Sequence, residues 1–314
     1  MENLIFSLNA TMPVFLMMVL GYILKKLNWM DEEFAGKINS FVFHVPLPML
    51  VFKDLATVDF VKVWDTKFVV FCFVATLFSI LLAAGISFLW KDKTIQGEFV
   101  QVSYRSSAAI LGIAFIQNIY GNAGIGPLMV VASVPLYNVA AVLILTLLGK
   151  RQKKMDKVLF NKTIKGIITN PIIIGIVVGF IWSILRIPMP YIMEKAVTNV
   201  ASIATPLGLM AMGAAFEYKK AFAKMKPALT ATLMKLVGFV LIFLPVAIRM
   251  GFREEKLVAL LVMLGSATTI SCYVMAKNMG HEGTLTSSVV MLTTLLCAFT
   301  LTGWLFILKS MGLI

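Results

Sequence analysis

The sequence has few charged residues: they make up 14% of its 314 positions, while 60% are hydrophobic. A soluble domain usually carries about 25% charged residues, so this composition excludes an ordinary soluble domain. A mean hydropathy of +0.92 predicts an all-α integral membrane protein instead. Helical spans are expected because lipid leaves no water for open backbone groups, and because the sequence lacks the alternating strands of an outer-membrane barrel.

Metal ligands and catalytic motifs are also scarce. The chain has two histidines and three cysteines, and none of them has the spacing of a zinc or redox site. The sequence contains no phosphate-binding loop, no zinc-protease motif, no nucleophile elbow and no pair of aspartates inside an apolar run. It therefore predicts neither an enzyme nor a cofactor or metal site.

Ten apolar segments have the length of about 20 residues that a bilayer crossing requires. They cover residues 4–24, 34–54, 66–90, 99–119, 127–148, 166–185, 196–216, 227–248, 257–279 and 285–308. The loops on one side would carry nearly twice as many lysines and arginines as those on the other. Because cytoplasmic loops collect these residues, we expect both termini outside the cell. Basic cytoplasmic loops also explain the net charge of +13, so the charge does not indicate a nucleic-acid partner.

The two halves of the chain repeat a pattern. Asn39 precedes Pro46 by seven residues, just as Asn199 precedes Pro206, and a Gly-x-x-Gly motif ends both the fourth and the ninth segment. Proline removes a backbone hydrogen bond inside a helix. The repeated prolines therefore predict breaks in the second and seventh helices, although kinks that only shape packing are an alternative.

Each half holds five segments, and this odd number requires the second half to enter the membrane upside down. We predict a first repeat at 1–148, a basic cytoplasmic linker at 149–165 and a second, inverted repeat at 166–314. Inverted repeats are typical of secondary transporters, whose substrate sites form where two broken helices meet near the bilayer midplane. The bacterial inner membrane is the expected location.

The fourth and ninth segments contain small hydroxyl residues and glycine at their centres. Such residues let a helix unwind, and the new helix N-terminus favours an anion; tight helix packing through small residues is the alternative. The predicted substrate-binding residues are Arg105, Ser106, Ser107, Gly112, Asn138, Ser266, Thr268, Thr269 and Ser271.

Two cations, Arg105 and Lys235, lie inside predicted spans that hold no central carboxylate. A charge at the centre of a span costs about 2.5–3.5 kcal/mol, so each needs a partner. An anionic substrate would be one. The alternative is snorkelling toward the membrane surface, where Arg105 could approach Glu98.

Three further polar residues, together with Lys235, are candidates for coupling or for lining the pathway. His44 could carry a proton, although a lone histidine in a span is more often a structural hydrogen bonder. Asn39 and Asn199 could line the pathway or tie helices together.

Several stretches of the sequence resemble the auxin efflux carrier family in its compact bacterial form. They are MPVFLMMVLGYILKKLNWMDEEFAGKINSFVFHVPLPMLVF, NPIIIGIVVGFIWSILRIPMP, ATPLGLMAMGAAF, AILGIAFIQNIYG and SCYVMAKNMG. The resemblance implies a ten-helix fold in which helices 4 and 9 cross at broken midpoints within a mobile domain. It also implies that helices 1, 2, 6 and 7 form a scaffold and a homodimer interface. The family moves small organic anions, such as auxin, malate or malonate, by an elevator mechanism.

One departure from the family's pattern concerns the crossing point. Ser106–Ser107 and Ala267–Thr268 stand where the family commonly has proline, and Ala114 replaces another usual proline. The helices must then break through glycine and serine. We expect a secondary transporter of small organic anions, with H+ or Na+ as candidate coupling ions. The alternative is a sodium-coupled symporter of larger amphipathic acids, such as bile acids.

Overall fold

The computed structural model of the chain is helical, as its composition predicts. The structure describes residues 2–57, 64–121, 124–148, 165–166 and 168–314. Within these ranges there is no β-sheet, and the one isolated bridge joins Ser106 to Thr268. Most of the predicted linker, 149–164, lies outside the described residues.

Seven α-helices are described in the first half. They are α1 (Glu2–Lys26), α2 (Glu32–His44), α3 (Pro46–Ala56), α4 (Thr66–Ser87), α5 (Gln96–Tyr104), α6 (Ile113–Tyr120) and α7 (Gly126–Leu147). A short 3-10 turn, Lys93–Ile95, leads into α5, and a π-helical turn, Ala108–Gly112, leads into α6.

The second half contains nine described helices. They are α8 (Pro171–Ile184), α9 (Tyr191–Ser202), α10 (Ala204–Ala214), α11 (Tyr218–Ala223), α12 (Met225–Leu233), α13 (Phe239–Arg249), α14 (Glu254–Gly265), α15 (Ser271–Asn278) and α16 (Thr284–Ser310). A second π-helical turn, Met234–Gly238, joins α12 to α13.

Six helical stretches among the described residues are long and apolar enough to cross a membrane. They are Glu32–Ala56, Thr66–Ser87, Gly126–Leu147, Tyr191–Ala214, Met225–Arg249 and Thr284–Ser310. The other predicted segments correspond to α1, to the 14-residue α8 and to two interrupted stretches. α8 alone is about 21 Å long, shorter than the hydrocarbon core of about 30 Å. The chain is a multi-pass membrane protein, and ten inverted crossings stay a prediction.

Proline and polar caps set several helix boundaries. α3 begins at Pro46, because the proline ring disfavours a helical conformation at the preceding residue, and Val45 has φ −122° and ψ −69°. α10 begins at Ala204, two residues before Pro206. The Asn170 side chain accepts the amide of Ile172 at 3.0 Å, so α8 starts later than the sixth predicted segment.

The helices pack in two groups. The first group consists of α1, α2, α3, α8, α9 and α10, and the second consists of α4–α7 and α12–α16. Met18, Leu55 and Leu209 are buried in the first group, while Phe68 and Leu260 are buried in the second. The two groups meet where α1 packs along α16 and where α15 packs on α2 and α10.

Glycine lets helices of the first group approach one another closely. A Cβ atom on Gly21 of α1 would lie 2.1 Å from the carbonyl oxygen of Met210, and one on Gly213 of α10 would lie 2.0 Å from that of Met18. α3 and α8 approach in the same way at Gly175. Small residues are what permit membrane helices to pack backbone to backbone.

Candidate functional site

Two helical stretches are interrupted side by side. α5 ends at Tyr104, and Arg105 is extended with φ −84° and ψ 117° before the π-helical turn begins at Ala108. α14 ends at Gly265, and Ser266 is extended with φ −80° and ψ 168°. The break in the fourth predicted segment therefore faces the break in the ninth.

The two breaks are joined by backbone pairing and by side-chain hydroxyls. Ser106 and Thr268 form the antiparallel bridge, and the amide of Ser107 donates to the carbonyl of Ala267 at 3.0 Å. The hydroxyl of Thr268 donates to the carbonyl of Val102 at 2.9 Å. The hydroxyl of Ser106 likewise donates to the carbonyl of Met263, so side-chain hydroxyls satisfy backbone carbonyls beside both breaks.

Lys235 holds the two broken helices together from one side. Its side chain is fully buried, and the ammonium group donates to the carbonyls of Tyr104 (3.2 Å) and Leu264 (2.8 Å) and to the hydroxyl of Ser106. These carbonyls belong to the C-terminal ends of α5 and α14, which carry partial negative charge. The charge of Lys235 is therefore compensated by helix ends rather than by a carboxylate.

Arg105 has a different environment. It is 4% exposed, and its guanidinium donates to the Oδ1 atom of Asn138 and contacts the sulfur of Met275 at 2.8 Å. The amide nitrogen of Asn138 donates to the carbonyl of Val134 at 2.9 Å, which fixes Oδ1 toward Arg105. No carboxylate of the described residues lies within 4.0 Å of Arg105.

Glu98 has other partners than Arg105, so the alternative in which Arg105 approaches Glu98 is wrong. Glu98 is 1% exposed and accepts the amides of Gly283 (2.9 Å) and Thr286 (3.0 Å) and the hydroxyl of Thr286 (2.8 Å). It therefore caps the N-terminus of α16, where a negative charge is favoured by the helix dipole.

Two small cavities flank the paired breaks, and their volumes are about 50 and 60 Å³. Their walls share Ser107, Thr205, Thr269 and Ile270. A water molecule needs roughly 10–15 Å³ of such volume, so each cavity has room for a few waters or a small guest. The site lies between the breaks of the second group and helices α3 and α10 of the first.

Most of the predicted binding residues line these cavities. Arg105, Ser106, Ser107, Asn138, Thr269 and Ser271 line the first cavity, and Ser107, Thr268 and Thr269 line the second. Gly112 and Ser266 do not. Gly112 packs against Met129, since a Cβ atom on it would lie 2.6 Å from the Met129 methyl group. The hydroxyl of Ser266 is buried and finds no partner among the described residues.

The predicted coupling residues lie away from the cavity walls. Asn39 is buried and donates to the carbonyl of Val274 at 3.4 Å, which ties α2 to α15. His44 is exposed, and its Nδ1 atom lies 2.8 Å from the carbonyl oxygen of Ser40. Asn199 is exposed on α9, and Lys235 lies behind the breaks.

Two cavity residues were missed by sequence reasoning. Asp54 lines the first cavity, although the sequence places it at the end of a span. Thr205, one residue before Pro206, lines both cavities. Asp54 follows Leu47 by seven residues, and this helical spacing puts both residues on one face of α3. The spacing is the sequence feature that could have linked Asp54 to the cavity.

Comparisons with known proteins agree with this membrane architecture. Residues 6–305 match the model of a family described as "Membrane transport protein". The chain is 24% identical to the "Putative malonate transporter" of Rhizobium meliloti (strain 1021), with 96% of each chain covered. It is 21% identical to an "Uncharacterized transporter" of Methanothermobacter thermautotrophicus (strain Delta H), with 95% of this chain and 97% of the other covered. The chain therefore belongs to the membrane transport protein family, which is the auxin efflux carrier family that its motifs predict.

Proposed function

We propose that the protein is a secondary transporter of small organic anions, and that carboxylates such as malonate or malate bind at the paired breaks. The observation that carries this proposal is the buried guanidinium of Arg105 on a cavity wall, with no carboxylate of the described residues in ion-pair contact. A buried charge is stable only with a partner. A carboxylate guest would supply one, and guanidinium binds carboxylate with two parallel hydrogen bonds.

The ends of the broken helices support the same proposal. Helical segments begin at Ala108 and Ser271, and both residues line the first cavity. Amides in the first turn have no intrahelical acceptor and carry partial positive charge, which favours an anion. The opposite, negative ends of α5 and α14 meet Lys235. Lys235 would thus complement the negative C-terminal ends of the broken helices, and the proposed anion would complement their positive N-terminal ends.

The proposed mechanism is elevator-type alternating access, in which the second group of helices slides against the first. Close glycine contacts between α1 and α10 support a rigid first group. That group contains predicted helices 1, 2, 6 and 7, and we propose it as the homodimer interface. Exposed apolar side chains on it, including Phe34, Phe41 and Ile192, suit contact with lipid or with a second copy.

A second candidate is a sodium-coupled symporter of larger amphipathic acids. One observation favours it: an apolar cleft of about 890 Å³ between α3, α4, α7 and α8, with Trp182 and Arg186 among its lining residues. The two candidates differ in their need for sodium. Flux that continues when Na+ is replaced by choline supports the first candidate, and flux that stops supports the second.

The test is uptake of labelled malonate and malate by liposomes that contain the purified protein. Arg105→Ala is expected to lower flux by about 100-fold or more, because it removes the charged partner of the guest, while Arg105→Lys should retain part of the flux. Arg249→Ala is the matched control, since Arg249 is exposed at the end of α13. Thermal unfolding in detergent establishes that each variant is folded. Unchanged flux in a folded Arg105→Ala variant would remove Arg105 from the site.

A further inference from the structure

The cavity that contains Arg105 also contains a carboxylate. Asp54 lies on α3 on the same helical face as Leu47, Leu50 and Val51, and all four residues line the cavity. Seven residues of helix separate Leu47 from Asp54, which corresponds to about 10 Å along the axis. The cavity wall therefore extends along α3 to a carboxylate near the end of that helix.

The carboxylate of Asp54 is not used to hold the fold together. Other acidic residues have structural partners: Glu98 caps α16, and Asp65 caps α4 while pairing with Lys256. Within the described part of the chain, Asp54 makes no hydrogen bond and no ion pair within 4.0 Å. Its side chain is half-buried, so it can contact a guest in the cavity.

Few charged groups face Asp54. Lys53 is its neighbour on α3, and Arg105 and Tyr137 are the other titratable groups on the cavity wall within the described ranges. The hydroxyl of Tyr137 donates to the carbonyl of Met263 at 3.3 Å.

The helices packed against α3 add little charge. α8 and α10 contain no titratable residue. Glu194 and Lys195 of α9 are exposed and do not line the cavity, and His44 of α2 contacts Ser40. Arg105 is thus the one cation of the described residues on the wall of this cavity, and it can balance one negative charge.

We infer that the site takes up one proton with each carboxylate guest, and that the proton is shared between an oxygen of Asp54 and an oxygen of the guest. The inference rests on the proposed function. Even a guest with a single carboxylate would, together with an ionised Asp54, place two negative charges beside one guanidinium in a small cavity, and like charges at short range disfavour ionisation of both. One proton removes the second charge and forms a hydrogen bond between the two groups. The guest would enter as anion plus proton.

The test is the pH dependence of guest binding by the purified full-length protein. The Kd for malonate and for monomethyl malonate is measured between pH 7 and pH 9 by calorimetry. Uptake of one proton predicts that Kd for either compound rises with pH, approaching tenfold for each pH unit. Monomethyl malonate has a single carboxylate, so its own titration does not contribute in this range.

Asp54→Asn is the decisive variant, because it keeps the shape of the side chain and removes its charge. We expect it to bind monomethyl malonate with a Kd that is independent of pH. Glu194→Gln, which removes an exposed carboxylate of α9, should keep the wild-type pH dependence. Thermal unfolding shows whether the variants are folded.

The possible results separate this inference from the proposed function. If wild-type protein binds both compounds with a Kd that does not change with pH, the inference is overturned while the proposed function stands. Equal pH dependence in wild-type protein and in folded Asp54→Asn also overturns it. If wild-type protein binds no carboxylate and transports none, the proposed function itself fails.

Discussion

Lys235 and Arg105 show how two buried cations in one protein can have different partners. Lys235 donates to carbonyls at two helix ends and to a hydroxyl. Arg105 contacts the neutral groups of Asn138 and Met275 and lines a cavity. Because Asn138 and Met275 are neutral, they do not balance the charge of Arg105, and an anion would do so. We therefore propose anion binding for Arg105 and a positioning role for Lys235.

Replacing Lys235 should destabilise the protein. Lys235→Met keeps the length of the side chain but leaves the carbonyls of Tyr104 and Leu264 with no donor in its place, and each buried unsatisfied acceptor costs about 1–3 kcal/mol. We expect a loss of roughly 2–5 kcal/mol in the free energy of unfolding. The measurement is thermal or denaturant unfolding in detergent. Lys226→Met, at an exposed position of α12, is the control. A fully stable Lys235→Met variant would mean that the helix ends do not depend on this ammonium group.

Some site residues could be predicted from the sequence because their signals are local. Ser107 and Thr269 were identified by the accumulation of hydroxyl residues in an apolar run, and both line the cavities. The partners of Lys235 could not be predicted, since backbone carbonyls have no sequence signature and Tyr104 is 131 residues away. Asp54 needed the packing of α3 against the breaks to reveal its place on the cavity wall.

At the scale of helices, close packing in the first group depends on glycine. α1 and α10 approach so closely that a methyl group on either Gly21 or Gly213 would overlap the backbone of the other helix. The breaks in the second group depend on polar side chains instead, because hydroxyl groups and a lysine donate to the backbone carbonyls beside them. The first group is expected to stay rigid, and the breaks offer polar groups to a guest.

Gly213→Ala should separate α1 from α10. The added Cβ atom would lie 2.0 Å from the carbonyl oxygen of Met18, and overpacking of this kind typically costs 1–3 kcal/mol, or about 2 kcal/mol here. Gly85→Ala in α4 is the matched control, because no atom lies within 4 Å of its added Cβ. Alanine is also favoured over glycine in a helix, by roughly 1 kcal/mol, so the control should be neutral or stabilising. Equal unfolding temperatures for the two variants would contradict the proposed close contact.

At the scale of the whole molecule, sequence composition predicted a helical membrane protein and sequence motifs predicted its family, and the match over residues 6–305 confirms the family. The hydropathy of the sequence predicts ten segments, whereas six described helical stretches are long and apolar enough to be identified as spans. The difference arises in part because the fourth and ninth segments are divided at the site itself. The same polar residues that weaken these helices as spans provide the groups that would bind a guest.

The central claim is that a carboxylate guest binds between the two breaks, on Arg105. The most direct measurement is a cryo-electron microscopy structure of the protein with malonate. The account predicts density for one malonate between Arg105 and the segment Thr269–Ser271, with a carboxylate oxygen within hydrogen-bond distance of the guanidinium. Malonate bound only in the apolar cleft beside Trp182, with an empty cavity at Arg105, would contradict it.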